Sequence, residues 1–190
     1  MRARYILPGA VELKPLQQGK LSMLCGLYSV LNSIQLALYP RRLARLELQR
    51  IYLRAIEHLS RRRQLKRVIG VGVDYPLWAE LQAELIGYVN EVYGASLNAA
   101  ATLEGSAVRD RKRAIYSIKR AIGGGSPVLA GFGGVLDHYS VIAGYTGERL
   151  ILFDSSGLQW IQAENLGLGE GSPRTHWILP DQTMSIVDDW

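Results

Sequence analysis

The sequence is poor in cysteine, since Cys25 is the only one among 190 residues. A single thiol excludes an internal disulfide and is typical of a protein from a reducing compartment. Long apolar runs are also missing, and no stretch reaches the roughly 18 apolar residues that a membrane-spanning helix needs. The apolar run near the N-terminus is cut at Pro8, which makes it too short for the core of a signal peptide. We therefore expect a soluble, cytoplasmic protein.

The rest of the composition is that of an ordinary globular chain, with 48% hydrophobic and 21% charged residues. A chain of this length can bury a hydrophobic core without disulfides, and it fits one domain. No internal repeat or low-complexity tract stands out. We expect a single domain over residues 1–190, with a helical part over about 20–122 and a sheet part over about 126–180.

Apolar residues at helical spacing predict four helices in the first two thirds of the chain. Their expected ranges are 22–39, 42–64, 74–94 and 106–122. Ser22 and Ser106 are the expected N-caps of the first and last of these helices, and Asp74 with Pro76 opens the third. Two segments remain ambiguous, because 68–73 and 95–103 each fit either a short strand or a loop.

After residue 126 the pattern changes from helical to extended. Strands are expected at 127–132, 138–145, 149–153, 159–161 and 175–179, with a glycine-rich loop at 164–173. Residues 146–148 join the second and third of these strands in a hairpin. Helices followed by antiparallel strands predict an α+β domain, not an alternating α/β one.

Cys25 lies where the first helix is expected to begin, close behind Ser22. The free amides and the dipole at a helix N-terminus favour a thiolate over a thiol. A lone cysteine is nevertheless more often a small buried apolar residue. A nucleophilic role also requires a base, a group that orients the base, and a donor for the oxyanion.

The chain has three histidines that could serve as the base. His58 lies within an arginine-rich helix and is expected to be solvated or partly packed. His176 lies in a short apolar strand and is expected to be structural, which makes it a reserve candidate. His138 opens a strand shortly after the glycine-rich segment 131–134, where solvent and substrate can reach it.

The hairpin offers a partner for His138. If its turn centres on residues 146 and 147, paired positions have numbers that sum to about 292 or 293. His138 then lies opposite Asp154 or Ser155, and the Cβ atoms of directly opposite residues are roughly 4.5–5.5 Å apart. Asp154 can therefore hold one ring nitrogen of His138 while the other faces the thiol, as in a nucleophile–base–orienter set.

These residues form a recognisable pattern: a glutamine, then Cys25-Gly26 opening a long apolar helix, then the distant His138 in a strand ending Ala143-Gly144-Tyr145, then Asp154. The pattern resembles the papain-like cysteine peptidase clan. It is most similar to the bacterial leader-peptide-processing (bacteriocin-type) peptidases and their stand-alone relatives. The resemblance covers about 17–38 and 132–157, and the arginine-rich middle of the chain lies outside it.

The resemblance implies a fold, a papain-like α+β domain, and a catalytic set. Cys25 would be the nucleophile, His138 the general base and Asp154 the orienting residue. A glutamine before the cysteine would donate to the oxyanion together with the Cys25 amide. Gln17 and Gln18 both precede Cys25 at somewhat longer spacing than is usual in the clan, and Gln18 is the preferred candidate. No metal and no cofactor are expected.

The expected activity is hydrolysis of a peptide or amide bond through a thioester, in a cleft between the helices and the sheet. Residues 131–137 would form one rim, with glycines that let a substrate backbone approach. Trp160 would either line the rim or pack against the sheet, and packing is the preferred interpretation. The substrate itself is not implied, because Leu24 replaces the acidic residue that the leader peptidases carry before the cysteine. An acyl or amide transferase on the same scaffold, such as a transglutaminase-like enzyme, would carry the same order of residues. An inactive descendant would carry it too.

The net charge of +5 is unevenly distributed. Arginines and lysines are concentrated in the segment Arg41–Arg67 and again over 109–120. Such a basic face can bind an acidic protein or nucleic acid, or it can simply be solvated. Nucleic acid is not favoured, because no nucleic-acid-binding motif is present. A non-catalytic basic binding module is therefore the second alternative to a peptidase.

Overall fold

A computed structural model describes residues 4–188 of the chain. These residues form six α-helices and eight β-strands. The helices are α1 (Pro8–Glu12), α2 (Cys25–Ala37), α3 (Arg45–Arg61), α4 (Leu65–Val71), α5 (Tyr75–Tyr93) and α6 (Arg111–Gly123). The strands are β1 (Tyr5–Ile6), β2 (Leu97–Ala101), β3 (Val128–Gly134), β4 (His138–Tyr145), β5 (Arg149–Leu152), β6 (Trp160–Gln162), β7 (Leu166–Leu168) and β8 (His176–Asp188). The predicted α+β class is confirmed.

The strands form one sheet in the order β2-β8-β3-β4-β5-β6, with antiparallel neighbours throughout. β1 pairs with the end of β4, and β7 runs parallel to the start of β8. β2 lies inside the range expected for the helical part, yet it pairs with β8. β8 is also longer than the five-residue strand expected at 175–179, because its second half pairs with β2.

Helix α2 is the central helix of the fold. Ten of its residues are buried, among them the polar Asn32. It contacts α3 and α5 on one side and β3, β4 and β8 on the other. A helix that is apolar on most of its circumference is buried by neighbours on all sides. The first residue of α2, Cys25, is thereby held at a fixed place where the helices meet the sheet.

Two expected helix caps are wrong. Ser22 does not cap α2, because its Oγ donates to Gly19 O at 3.3 Å and the cap position is Leu24. A backbone hydrogen bond from Met23 N to Ile69 O, 3.0 Å long, keeps residue 23 outside the helix. Cys25 is consequently the first residue of α2, not a residue further inside the first turn.

Ser106 does not cap α6 either. It lies in a 3₁₀ turn, Gly105–Val108, and α6 begins after Asp110. The Asp110 carboxylate accepts hydrogen bonds from the Lys112 and Arg113 amides at 2.8 and 3.2 Å. A carboxylate satisfies two free amides and also complements the positive end of the helix dipole. By contrast, the predicted start of α5 is confirmed, since Asp74 Oδ1 accepts from Leu77 N at 3.1 Å.

Segment 68–73 is neither the strand nor the loop that were considered. Most of it belongs to helix α4, which buries Val68 and ends at Gly72 with φ of 93°. The alternation of glycine and valine resembles a strand pattern, but only one valine of this helix enters the core. Residues 95–103, the other ambiguous segment, contain strand β2.

Two of the four arginines of α3, and Arg62 directly after it, pair with acidic residues of α5. Arg54 and Arg61 lie 2.6 and 3.4 Å from Glu84 Oε1, and Arg62 pairs with Glu80, also on α5. His58 is packed beside the same acidic residues, with Nδ1 3.5 Å from Glu84 Oε2. Part of the basic segment therefore fastens α3 to α5.

Within residues 4–188, no helix is both long and apolar enough to cross a membrane.

Candidate active site

The structure brings His138 and Asp154 together. His138 is the first residue of β4, and Asp154 lies two residues beyond the end of β5. His138 Nε2 is 2.7 Å from Asp154 Oδ1, and the two side chains are 9% and 0% exposed. This short contact between an imidazole and a buried carboxylate is the pairing that the hairpin predicted.

The register behind that prediction is wrong. Gly144 pairs with Ile151 and, after an irregularity, Ile142 pairs with Leu152. Extending this register puts Ser140, not His138, opposite Asp154. His138 still reaches the carboxylate because side chains two residues apart in a strand point to the same face. The contact is therefore diagonal across the hairpin and tolerates the shift.

Asp154 is a fully hydrogen-bonded carboxylate. Oδ1 accepts from Ser140 Oγ at 2.6 Å as well as contacting His138, and Oδ2 accepts from the amides of Ser156 and Leu158 at 2.7 and 3.1 Å. Burial alone raises the pKa of this carboxyl. The hydrogen bonds from His138 and Ser140 outweigh burial and hold its pKa below the usual range. Asp154 is therefore ionised beside the histidine.

Cys25 completes a row of three side chains. Its thiol is half-buried, lines the same pocket as the His138 ring, and lies near enough to the ring to raise the pKa of the imidazole. Because Asp154 occupies Nε2, the ring nitrogen left for the sulfur is Nδ1. Burial lowers the pKa of His138, but the hydrogen bonds to Asp154 and Cys25 and their charges raise it further, to about 9. The imidazole is thus poised to be a cation next to the sulfur at neutral pH.

A tightly packed cluster of side chains fixes the start of α2 next to Cys25. Trp78 Nε1 donates to Gly26 O at 3.2 Å, and Tyr139 is stacked on the Trp78 ring with centroids 4.6 Å apart. A Cβ atom at Gly26 would lie 2.3 Å from Val73 Cγ1. Glycine is therefore required next to Cys25 for close packing, since no side chain fits between the helix and its neighbours.

Gln17 and Gln18 both contact the loop that follows β5. Gln17 Nε2 donates to Asp154 O at 2.9 Å, and Gln18 Nε2 donates to Ser156 Oγ at 2.7 Å. Neither is among the described residues that line the pocket at Cys25. The glutamines thus reach the Asp154 end of the row, and the oxyanion role of Gln18 stays a prediction. Asn32 on α2 holds this segment, because its Oδ1 accepts from Leu16 N at 2.7 Å.

An open pocket of about 220 Å³ lies at the Cys25–His138 pair. Apolar side chains form much of its wall, and polar groups face it from β4 and β8. Its described lining consists of Met23, Cys25, Val71, Gly72, Val73, Gly131, Phe132, Asp137, His138, Tyr139, Leu179 and Gln182. A substrate that enters this pocket meets the sulfur and the imidazole together.

The predicted rim, 131–137, borders the pocket through residues at both of its ends. Two of its glycines, however, are required by close packing against β8. Residues 131–134 belong to strand β3. A Cβ atom at Gly133 would lie 2.3 Å from Trp177 Nε1, and one at Gly134 would lie 2.4 Å from Thr175 O. These two glycines make room for β8 instead of a substrate, and Gly131 is the one glycine of 131–137 among the described lining residues.

The other side chains considered from the sequence lie elsewhere. His176 begins β8, pairs with Gly134 and is not part of the described pocket lining. His58 lies on α3 against α5. Trp160 is 43% exposed, and the Arg149 guanidinium stacks on its ring at 4.0 Å. Trp160 thus packs under an arginine on the edge strand β6 and is not among the described residues that line the pocket.

Four residues of the site were not found from the sequence: Ser140, Tyr139, Trp78 and Gln182. Ser140 could have been found, since it shares a strand face with His138. The other three depend on contacts between distant segments, which no local pattern reveals.

Within residues 4–188, no group of three or more His, Cys, Asp and Glu side chains could hold a metal ion. Comparisons with protein-family models, curated proteins and solved structures find no match to this chain.

Proposed function

We propose that this chain is a papain-like cysteine peptidase that hydrolyses a peptide or amide bond. The observation that carries the proposal is the hydrogen-bonded pair His138–Asp154, with Cys25 beside the His138 ring in the lining of an open pocket. Nucleophilic catalysis by cysteine needs a thiolate, a base within hydrogen-bond reach and a third group that orients the base. In the proposal, Cys25 is the thiolate, His138 is the base and Asp154 is the group that orients the base.

The proposed reaction begins with an ion pair. With the pKa of His138 at about 9, its ring is an imidazolium at neutral pH, and a neighbouring imidazolium favours the thiolate form of a cysteine. The sulfur attacks the carbonyl carbon of the scissile bond, and the carbonyl π electrons move to the oxygen. The backbone N–H of Cys25 is the first amide of α2 and makes no bond within the helix, so it can donate to that oxyanion.

The tetrahedral intermediate then collapses to a thioester. The C–N bond breaks, and His138 gives its proton to the leaving nitrogen. The neutral imidazole next takes a proton from water, whose oxygen attacks the thioester carbonyl. Cleavage of the C–S bond releases the carboxylic acid and restores the thiolate–imidazolium pair. Asp154 keeps the ring oriented throughout, because its own carboxylate is fixed by two backbone amides.

The proposal includes a reducing, cytoplasmic setting, since the nucleophile is a single unpaired thiol. It takes a peptide or protein as substrate. An acidic protein partner could use arginines of the segment Arg41–Arg67, but the pairing of Arg54, Arg61 and Arg62 with α5 reduces the charge left for it. An acyl transferase would use the same row and differ only in resolving the thioester with an amine instead of water.

The test is covalent labelling of the native protein with a peptidyl epoxysuccinate and, separately, with iodoacetamide. Both probes should modify wild-type Cys25 at pH 6–7, as read by intact-mass spectrometry, and neither should modify Cys25→Ala. His138→Ala should slow both reactions strongly while leaving the protein folded. Labelling only after unfolding would refute the proposal. With a hydrolysed substrate in hand, incorporation of a labelled amine would identify a transferase.

A further inference from the structure

The pairing of β8 with β3 is interrupted beside the pocket. Ile178 pairs with Phe132 and Thr183 pairs with Ala130, so that residues 179–182 of β8 all stand opposite Gly131. Thr183 Oγ1 donates to Leu179 O at 2.8 Å and closes this bulge. Bulges beside a site re-aim side chains that a regular strand would point elsewhere. Here the bulge brings Leu179 and Gln182 into the pocket lining.

The Gln182 side chain is held in a defined orientation. Its Oε1 accepts a hydrogen bond from the Tyr139 hydroxyl at 2.7 Å. It lies directly over Gly131, where a Cβ atom would be 2.7 Å from Oε1. Tyr139 in turn is stacked on the buried Trp78. Burial raises the pKa of the Tyr139 phenol, so that it stays protonated and remains a donor.

The orientation leaves the Nε2 atom of Gln182 as a free donor. With Oε1 bound to Tyr139, the two N–H groups have no acceptor among the described residues. The other polar side chains of the lining are not neutral donors for a ligand. Cys25 and His138 are the reacting groups of the proposed mechanism, Asp137 is an acidic side chain, and the Tyr139 hydroxyl is donated to Gln182.

We propose that Gln182 Nε2 donates a hydrogen bond to a backbone carbonyl oxygen of the peptide bound in the Cys25 pocket. This inference rests on the proposed peptidase function and adds a substrate-binding residue to it. A peptide carbonyl that enters a half-apolar pocket loses hydrogen bonds to water, and an unreplaced bond is costly. A preoriented side-chain amide replaces it without further loss of side-chain freedom.

The decisive variant is Gln182→Glu. A glutamate has the same length and still accepts from the Tyr139 hydroxyl, but it offers the carbonyl oxygen no donor. A purely structural role in supporting Tyr139 would tolerate this change. Gln182→Met is the neutral companion, since it removes the donor without adding charge; it also removes the acceptor for the Tyr139 hydroxyl, so Gln182→Glu alone separates the donor from support of Tyr139. Gln49→Glu, on the exposed side of α3, is the control for the charge change itself.

The readout is the pair of second-order rate constants for modification of Cys25 by the peptidyl epoxysuccinate and by iodoacetamide. Both Gln182 variants should lower the rate with the peptidyl probe by about tenfold, the loss expected for one hydrogen bond. The rate with iodoacetamide, which has no peptide backbone to bind, should change by less than about twofold. Gln49→Glu should leave both rates unchanged.

The outcomes separate this inference from the proposed function. If wild type reacts with both probes and the Gln182 variants match it, Gln182 is not a substrate donor, although the peptidase proposal stands. The inference also fails if both probes slow equally, because the substitution then disturbs Cys25 and His138. If native wild type reacts with neither probe, the peptidase proposal fails and this inference fails with it.

Discussion

Ser140 Oγ and His138 Nε2 meet at one atom, Asp154 Oδ1, at distances of 2.6 and 2.7 Å. The serine is 1% exposed, so water does not compete for this contact. Two donors on one carboxylate oxygen fix its position more firmly than the histidine alone, because charge-assisted bonds are the strong ones. Ser140 is therefore a positioning residue that acts on the histidine through Asp154.

Ser140→Ala should weaken this arrangement without abolishing it. The loss of one hydrogen bond to a buried charge costs on the order of 1–3 kcal/mol of folding stability. The rate of Cys25 modification should fall several-fold, since Asp154 holds His138 less firmly. Urea denaturation and iodoacetamide kinetics measure the two effects.

The matched control for Ser140→Ala is Ser33→Ala, because Ser33 is also buried but donates to Val30 O within α2. That variant should lose some stability and keep the modification rate. Equal rates for the two alanine variants would contradict the positioning role of Ser140.

Asp154→Asn should lower the pKa of His138 from about 9 toward its ordinary value of 6.5. The asparagine can still accept through its oxygen, but it carries no negative charge to stabilise the imidazolium. A ring with a pKa near 6.5 is only about one quarter cationic at pH 7, so Cys25 modification should slow by about fourfold or more. The NMR titration of the His138 ring protons reads the change directly. A titration unchanged from wild type would show that Asp154 does not set this charge.

The side chains that the sequence could identify are those tied to a regular element or to its ends. Cys25 follows from the start of an apolar helix, and His138 follows from the strand pattern. Asp154 follows from the hairpin even though the assumed register is shifted, because its contact with His138 spans a strand face and not one pair of residues. Side chains two residues apart lie on the same face of a strand, so a register error of two residues still places His138 and Asp154 on one face.

The features that escaped prediction depend on irregular backbone or on tertiary packing. Gln182 lies in a bulge of β8, and a bulge has no period that a sequence pattern could reveal. Helix α4 was missed because only Val68 among its residues is buried, which gives no amphipathic stripe. The two predicted serine caps were wrong. A backbone hydrogen bond of Met23 keeps the start of α2 after Ser22, and the carboxylate of Asp110 caps α6 instead of Ser106.

The charge on His138 should make the stability of the protein depend on pH. Its pKa is raised to about 9 in the folded chain, compared with an ordinary value of 6.5 for histidine. A raised folded pKa means that the folded state binds the proton more tightly than the unfolded state. The resulting stability is fully present below about pH 6.5 and is lost as pH rises through about 9. Urea midpoints measured between pH 6 and pH 10 should therefore fall across this window.

His138→Gln provides the comparison for that pH series, because glutamine cannot take up the proton. Its urea midpoint should be lower than that of wild type at pH 6, and the difference should shrink toward pH 10. A difference that stays constant across the window would mean that His138 does not carry the raised pKa.

Gly26→Ala should destabilise the start of α2. The new methyl group would lie 2.3 Å from Val73 Cγ1 and 3.1 Å from the Trp78 ring. Overpacking of this kind costs typically about 1–3 kcal/mol, although alanine is the better helix former. Relief of the overlap would push Trp78 away and disturb its bond to Gly26 O, so Cys25 modification should slow as well. Urea denaturation and iodoacetamide kinetics measure both consequences.

Gly87→Ala on α5 separates packing from helix propensity. Gly87 is exposed, and an added Cβ atom would have no neighbour within 4 Å. The same substitution should there stabilise the protein by about 0.5–1 kcal/mol, because alanine restricts the unfolded chain and suits a helix. Opposite signs of the stability change at the two glycines are the expected result. If Gly26→Ala were as favourable as Gly87→Ala, the tight contact of Val73 and Trp78 with the start of α2 would be disproved.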